Sequence, residues 1–247
     1  MRLKLIACNV FQREVCHCLA TSPHVVDAEF TELGEHIHSD TLRSTIQSKI
    51  DATEKATAPY DAVLLAFGIC GNSSVGLRAR GTKLVIPRAH DCCTILLGSK
   101  EKFKEHFADN PSMPFSSSGY MERGEYYLRV EDGESKIHYG DAYAAYVEQY
   151  GEENAKFIWE NMHPSHPKLP NKAVFIDIPE TAHLGYAERF QARAGTEGKE
   201  YVRLQGSLAL IRKLISGDWD PADFLIVPPG RRTAGVYDWS EIVRAVD

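Results

Sequence analysis

Residues 60–72 read Tyr60-Asp61-Ala62-Val63-Leu64-Leu65-Ala66-Phe67-Gly68-Ile69-Cys70-Gly71-Asn72. Residues 62–67 are apolar without a break, the pattern of a strand buried on both faces of a parallel sheet. Such a strand needs covering helices, delivered by crossover connections. The run ends at a glycine-flanked cysteine, where the backbone can approach a ligand closely.

Upstream, residues 3–7 read as a first strand ending at Cys8, and residues 11–20 have helical spacing stopped by Thr21-Ser22-Pro23. Residues 25–33 read as a second strand, and residues 41–56 as a helix with Leu42, Ile46 and Ile50 on one face. Downstream, residues 84–87 form a strand that runs into Arg88-Ala89-His90-Asp91-Cys92-Cys93, followed by short helices at 91–97 and 100–107. Residues 109–137 bring Pro111, Pro114, Tyr120, Tyr126 and Tyr127, an aromatic-rich insertion, before helical stretches at 141–150 and 152–162. A second run follows: strand 173–178, helix 181–194, strand 201–204, helix 207–215 and strand 224–227.

This order predicts an α/β fold with mostly parallel, Rossmann-like sheets and flanking helices. The second run echoes the first in element order, which allows two similar halves. The expected organisation is residues 1–108 as a first α/β half, 109–170 as insertion and helical segment, and 171–247 as a second half packed on the first.

A net charge of −6 with no basic stripe excludes nucleic acid as an expected partner. No segment has the eighteen or so consecutive apolar residues of a membrane span. The short apolar start reads as a strand and not as a signal peptide, so the cytoplasm is the expected location. All six cysteines, at 8, 16, 18, 70, 92 and 93, lie in the first 93 residues. That confinement suggests thiol or metal chemistry in place of a disulfide framework.

Cys8, Cys70 and the His90-Asp91-Cys92 group each directly follow an apolar strand. Carboxyl ends of parallel strands share one edge, so distant segments deliver these groups to one region. Cys8, Cys70, His90 and Cys92 form a Cys₃His set suited to zinc, while soft thiolates also suit an iron–sulfur cluster. Buried thiols beside a hydrogen-bonded histidine are the bland alternative. Asp91 is placed to cap the following helix or orient His90, and Arg88 to neutralise a substrate anion or form a structural ion pair. Gly68, Gly71 and Asn72 are candidates for holding a cofactor, and His36, Tyr120 and Glu122 for binding substrate. Cys16 and Cys18 point some 200° apart on a helix and cannot easily share an ion. No phosphate loop, dinucleotide fingerprint, Gly-x-Ser-x-Gly elbow or HExxH is present.

At these residues the chain resembles a family known as domain of unknown function 1638. The resemblance is carried by Leu5-Ile6-Ala7-Cys8, Gly68-Ile69-Cys70-Gly71-Asn72, Gly119-Tyr120-Met121-Glu122 and, most specifically, Pro87-Arg88-Ala89-His90-Asp91-Cys92. It departs from the family pattern at Tyr120, where a tryptophan is expected. The resemblance implies one-carbon metabolism beside corrinoid-dependent methyltransferases, with a corrinoid protein as partner. A zinc-dependent methyltransferase acting on a small molecule is therefore the first expectation. A non-enzymatic metal or cofactor carrier and an iron–sulfur protein are the alternatives.

Overall fold

The computed structural model describes residues 1–32, 39–111, 113–123, 130–131, 134–135, 147, 152, 171–236 and 238–247. Its elements in chain order are β1 (Arg2–Cys8), α1 (Gln12–Leu19), β2 (Val25–Thr31), α2 (Ser39–Thr53), β3 (Ala62–Ala66), β4 (Leu84–Pro87), α3 (Cys92–Leu97), α4 (Lys100–Phe107), β5 (Phe115–Ser117) and α5 (Ser118–Glu122). They continue as β6 (Val130–Glu131), β7 (Glu134–Ser135), β8 (Lys172–Asp177), α6 (Tyr186–Thr196), β9 (Glu200–Gln205), α7 (Ala209–Ser216), β10 (Phe224–Val227), β11 (Arg232–Gly235) and β12 (Val243–Val246).

The protein is a mixed α/β fold with a mostly parallel main sheet and flanking helices. Strand order in that sheet is β10-β4-β3-β1-β2, all parallel except β10, which runs antiparallel to β4. Every residue of β3 is buried, as its unbroken apolar sequence requires. Helices α1 and α7 pack on each other, α7 lies against β3 and β4, and α2 lies against β1 and β2. Leu42, Ile46 and Ile50 are the buried stripe of α2.

A second, three-stranded parallel sheet has the order β5-β8-β9, with α6 packed on β8 and β9. The sequence left β5 unread, because three residues are too few to show a period. The chain end also differs from the expected second half at 171–247: α7 and β10 return to the first sheet. Tyr126, Tyr127 and nearly all of the helical stretches expected at 141–150 and 152–162 lie outside the described residues.

The chain order places a switch point between β1 and β3. From β1 the sheet grows outward to β2 on one side, and to β3 and β4 on the other. In open parallel sheets the crevice at the carboxyl ends of two such strands is where ligands bind, since the connecting loops diverge there. Cys8 ends one of the two strands, and Cys70 follows the other.

Candidate functional site

The loops after β3 and β4 run side by side. The amide of Ile69 donates to the carbonyl of Ala89 at 2.9 Å, and that of Cys70 to His90 at 3.0 Å. Gly68 permits this approach, because a Cβ there would lie 2.6 Å from the Asp91 backbone. The chain then turns through three successive left-handed residues, Cys70 (φ 45°), Gly71 (φ 61°) and Asn72 (φ 69°). Two of the three carry side chains, so the turn stores strain of the kind found at functional sites. It is held by Ser73 Oγ donating to the Cys70 carbonyl at 2.8 Å and Ser74 Oγ to the Gly68 carbonyl at 2.8 Å. Gly68, Gly71 and Asn72 thus shape the turn that presents Cys70.

Cys92 opens α3, which Asp91 caps by accepting from the Thr94 amide at 3.2 Å. This brings the sulfurs of Cys70 and Cys92 to 3.8 Å, within thiol hydrogen-bond reach. The hydrogen bond with Cys70 and burial hold the Cys92 thiol well above its ordinary pKa, and the neighbouring Cys70, Cys8 and Asp91 charges add to this. Cys8 therefore belongs to the same electrostatic cluster. Burial likewise pushes the Asp91 carboxyl up to about 6.

Tyr120 covers the cluster from α5. It is 2% exposed, packs edge-on against Phe115, and its phenol is raised first by burial, then by Cys92, Cys8, Cys70 and Asp91. Gly119 lets α5 sit there, since a Cβ would lie 1.8 Å from the carbonyl oxygen of Val10 just after Cys8. Of the expected residues, Cys70 and Cys92 are thus in contact, and Cys8 and Tyr120 lie within electrostatic reach of them.

His90 is not in this group. Its ring stacks on Phe103 at 5.3 Å and meets Trp239 edge-on at 5.1 Å, with Nε2 buried and unpartnered among the described residues. Burial lowers its pKa, partly offset by Asp238. Arg88, expected to meet a substrate anion, donates instead to the carbonyls of Pro221, Glu241 and Val243 and fastens the chain end to the loop after β4. Glu122 accepts from Arg13 Nε at 2.5 Å and Tyr186 hydroxyl at 3.4 Å, which ties α5 to α1 and α6. His36 lies outside the described residues. Cys16 is exposed and Cys18 buried, on different sides of α1.

Among the described residues, no group of three or more His, Cys, Asp or Glu side chains stands ready to hold a metal ion. An open groove of about 600 Å³ between β2 and α2, lined by Glu29, Asp40 and Lys49 among others, contains none of the clustered thiols. Sequence reading passed over Glu14, which is 1% exposed with Oε2 unpartnered among the described residues. Its spacing was the available signal: Glu14 and Cys18 are four apart and share the buried face of α1.

No helix among the described residues is long and apolar enough to cross a membrane. Neither a curated protein nor a solved structure matches the chain. One family model does, over residues 30–215, and on that match the chain belongs to the family described as protein of unknown function (DUF1638).

Proposed function

We propose that Cys8, Cys70 and Cys92 form a metal–thiolate centre, zinc in the first instance, in an enzyme of methyl-group or one-carbon chemistry. The observation that carries this reading is the Cys70–Cys92 geometry. Ligands about 2.3 Å from a tetrahedral zinc ion stand about 3.8 Å apart, and the two sulfurs are separated by 3.8 Å. A buried thiol in hydrogen-bond contact with a half-buried one is also what remains when a dithiolate site is protonated. Cys8 is the third ligand candidate by its charge coupling to Cys92. His90, turned onto Phe103 and Trp239, leaves a coordination position for a substrate.

A bound zinc ion supplies a Lewis acid that lowers the pKa of a coordinated thiol or water. The chain's own residues do the rest. The strained turn fixes Cys70, Asp91 fixes the start of α3 and with it Cys92, and Tyr120 excludes water. We read the main sheet as Rossmann-like, which agrees with a ligand seated at its switch point. The methyl-transfer assignment, with a corrinoid protein as partner, is supported by the family resemblance and by the chemistry of thiolate zinc.

The test is elemental analysis of anaerobically purified protein beside Cys92→Ser, with cobalt(II) substitution to count thiolate ligands by charge-transfer absorption. About one zinc per chain, lost in the variant, is the expected result. Several irons per chain would replace zinc by a cluster on the same thiols. Absence of metal from the unsubstituted protein under zinc-replete growth would overturn the centre.

A further inference from the structure

Two arginines that sequence reading did not single out flank the thiol site. Arg43 lies on α2, four residues after Ser39. Its Nη1 donates to Asp40 Oδ1 at 2.9 Å, and its Nη2 to the carbonyl of Asn72 at 2.9 Å, inside the left-handed turn that carries Cys70. Arg123 follows α5. Its Nη2 donates to the carbonyl of Asn9 at 3.3 Å, directly after Cys8, and to Gln12 Oε1. The two guanidinium groups therefore hold the loops after β1 and β3, the pair of strands at the switch point.

Each keeps one donor in reserve. The Nε of Arg43 and the Nε of Arg123 are buried without an acceptor among the described residues. Beside them, Asn9 Oδ1, Thr31 Oγ1 and Ser39 Oγ are also buried and unpartnered. Thr31 is the register partner of Cys8, and Asn9 follows Cys8, so both stand at the same edge. Buried polar groups in folded proteins are nearly always paired, and orphaned N–H groups of a cation are the costliest exceptions. Several orphans along one strand-end edge are explained together by a ligand that pairs with them.

We propose that Arg43 and Arg123 bind the acid group of a small substrate, and that the substrate carries a hydrogen-bond donor beside that group for Asn9 Oδ1. Guanidinium is the matched partner for a carboxylate or phosphate. Asp40 already neutralises part of the Arg43 charge, and Glu32 occupies Asn9 Nδ2 at 2.9 Å. Among the described residues no carboxylate pairs with Arg123, which makes it the stronger anion site of the two. The hydroxyls of Thr31 and Ser39 serve as adaptable donors or acceptors. The inference rests on the strand-end site being the place of binding, and it holds with or without the metal.

The experiment is ligand-observed saturation-transfer NMR on the full chain, at fixed ionic strength, with glycolate, methyl phosphate and ethylene glycol as probes. Glycolate or methyl phosphate should bind and ethylene glycol should not; whichever anion binds names the acid class. Arg43→Gln and Arg123→Gln should each weaken binding by at least about tenfold, the worth of one charge-assisted hydrogen bond. Arg→Lys at the same positions, which keeps the charge, should give intermediate affinity and serves where a Gln variant does not fold. No binding of either anion, binding unchanged in folded variants, or equal binding of ethylene glycol would overturn the proposal. Metal content measured on the same samples judges the thiolate centre separately.

Discussion

Glu14 lies where charged groups from α1, α5 and the segment after β8 converge. Burial raises its carboxyl to about 7, with Glu122 and Glu180 adding repulsion and Arg13 opposing it. On the same face, Cys18 is raised to about 11 by burial, with Arg212 opposing and Glu180 and Glu14 adding. In the unfolded chain the Glu14 carboxyl titrates near 4.5, so between that pH and about 7 the folded state binds the extra proton. Stability from this group is therefore full below about pH 4.5, falls as pH rises to about 7, and is flat above. The loss is on the order of 3 kcal/mol. Glu14→Gln, which mimics the protonated form, should remove that slope and leave the protein more stable than the parent at pH 8, as read by urea denaturation across the range. An unchanged slope would place the titration elsewhere. Single residues were unevenly readable from sequence. Cys8, Cys70 and Cys92 announced themselves because strand ends place them without reference to rotamers. The direction of His90 did not, since Phe103 and Trp239 set it from elsewhere in the chain. Arg88 suits a substrate anion or a structural ion pair on local sequence alone, because its carbonyl acceptors, on Pro221, Glu241 and Val243, are remote in sequence.

The two sheets meet through glycines. Gly119 brings α5 onto the loop after β1, and Gly206, after β9, lies where a Cβ would approach Ile178 at 2.7 Å and the Leu96 carbonyl at 2.9 Å. The amide of Ser207 completes this seam by donating to Leu96 at 2.8 Å. Gly119→Ala places its methyl against backbone, which cannot swing aside as a side chain can. We expect a loss of about 3 kcal/mol or more in urea unfolding. Where the variant folds, Tyr120 should be displaced, so a cysteine-reactive probe should reach Cys92 faster than in the parent. Unchanged thiol reactivity would mean that α5 does not guard the cluster. Helix α2 could be read from sequence because its buried stripe repeats within a single window, and β3 because its apolar run is unbroken. Strand β5 is three residues long, and its partner β8 begins more than fifty residues later, at Lys172, so no local pattern contained it.

The path of the chain end bears on how the molecule folds. An autonomous first half ending near residue 108 would leave β4 as an edge strand, whereas β10 pairs along β4 from Phe224↔Pro87 to Val227↔Leu84. Strand β11 reaches further in: the Gly76 amide donates to the Thr233 carbonyl at 2.8 Å and Thr233 Oγ1 to the Ser74 carbonyl at 2.7 Å, behind the turn that presents Cys70. Helix α7 contributes Leu210, Ile211, Leu214 and Ile215 to the main core, so the same tail also supplies part of the cover over β3 and β4. The thiol turn thus depends on residues more than a hundred positions away. A fragment of residues 1–108 should fail to give the far-UV signal and cooperative unfolding of a folded α/β unit. The full chain should lose secondary structure and Trp219 and Trp239 fluorescence in one coincident transition. A separately folding fragment, or two resolved transitions, would show that the amino-terminal sheet is independent of its carboxyl-terminal strands and that the contacts of β11 with the thiol turn are dispensable.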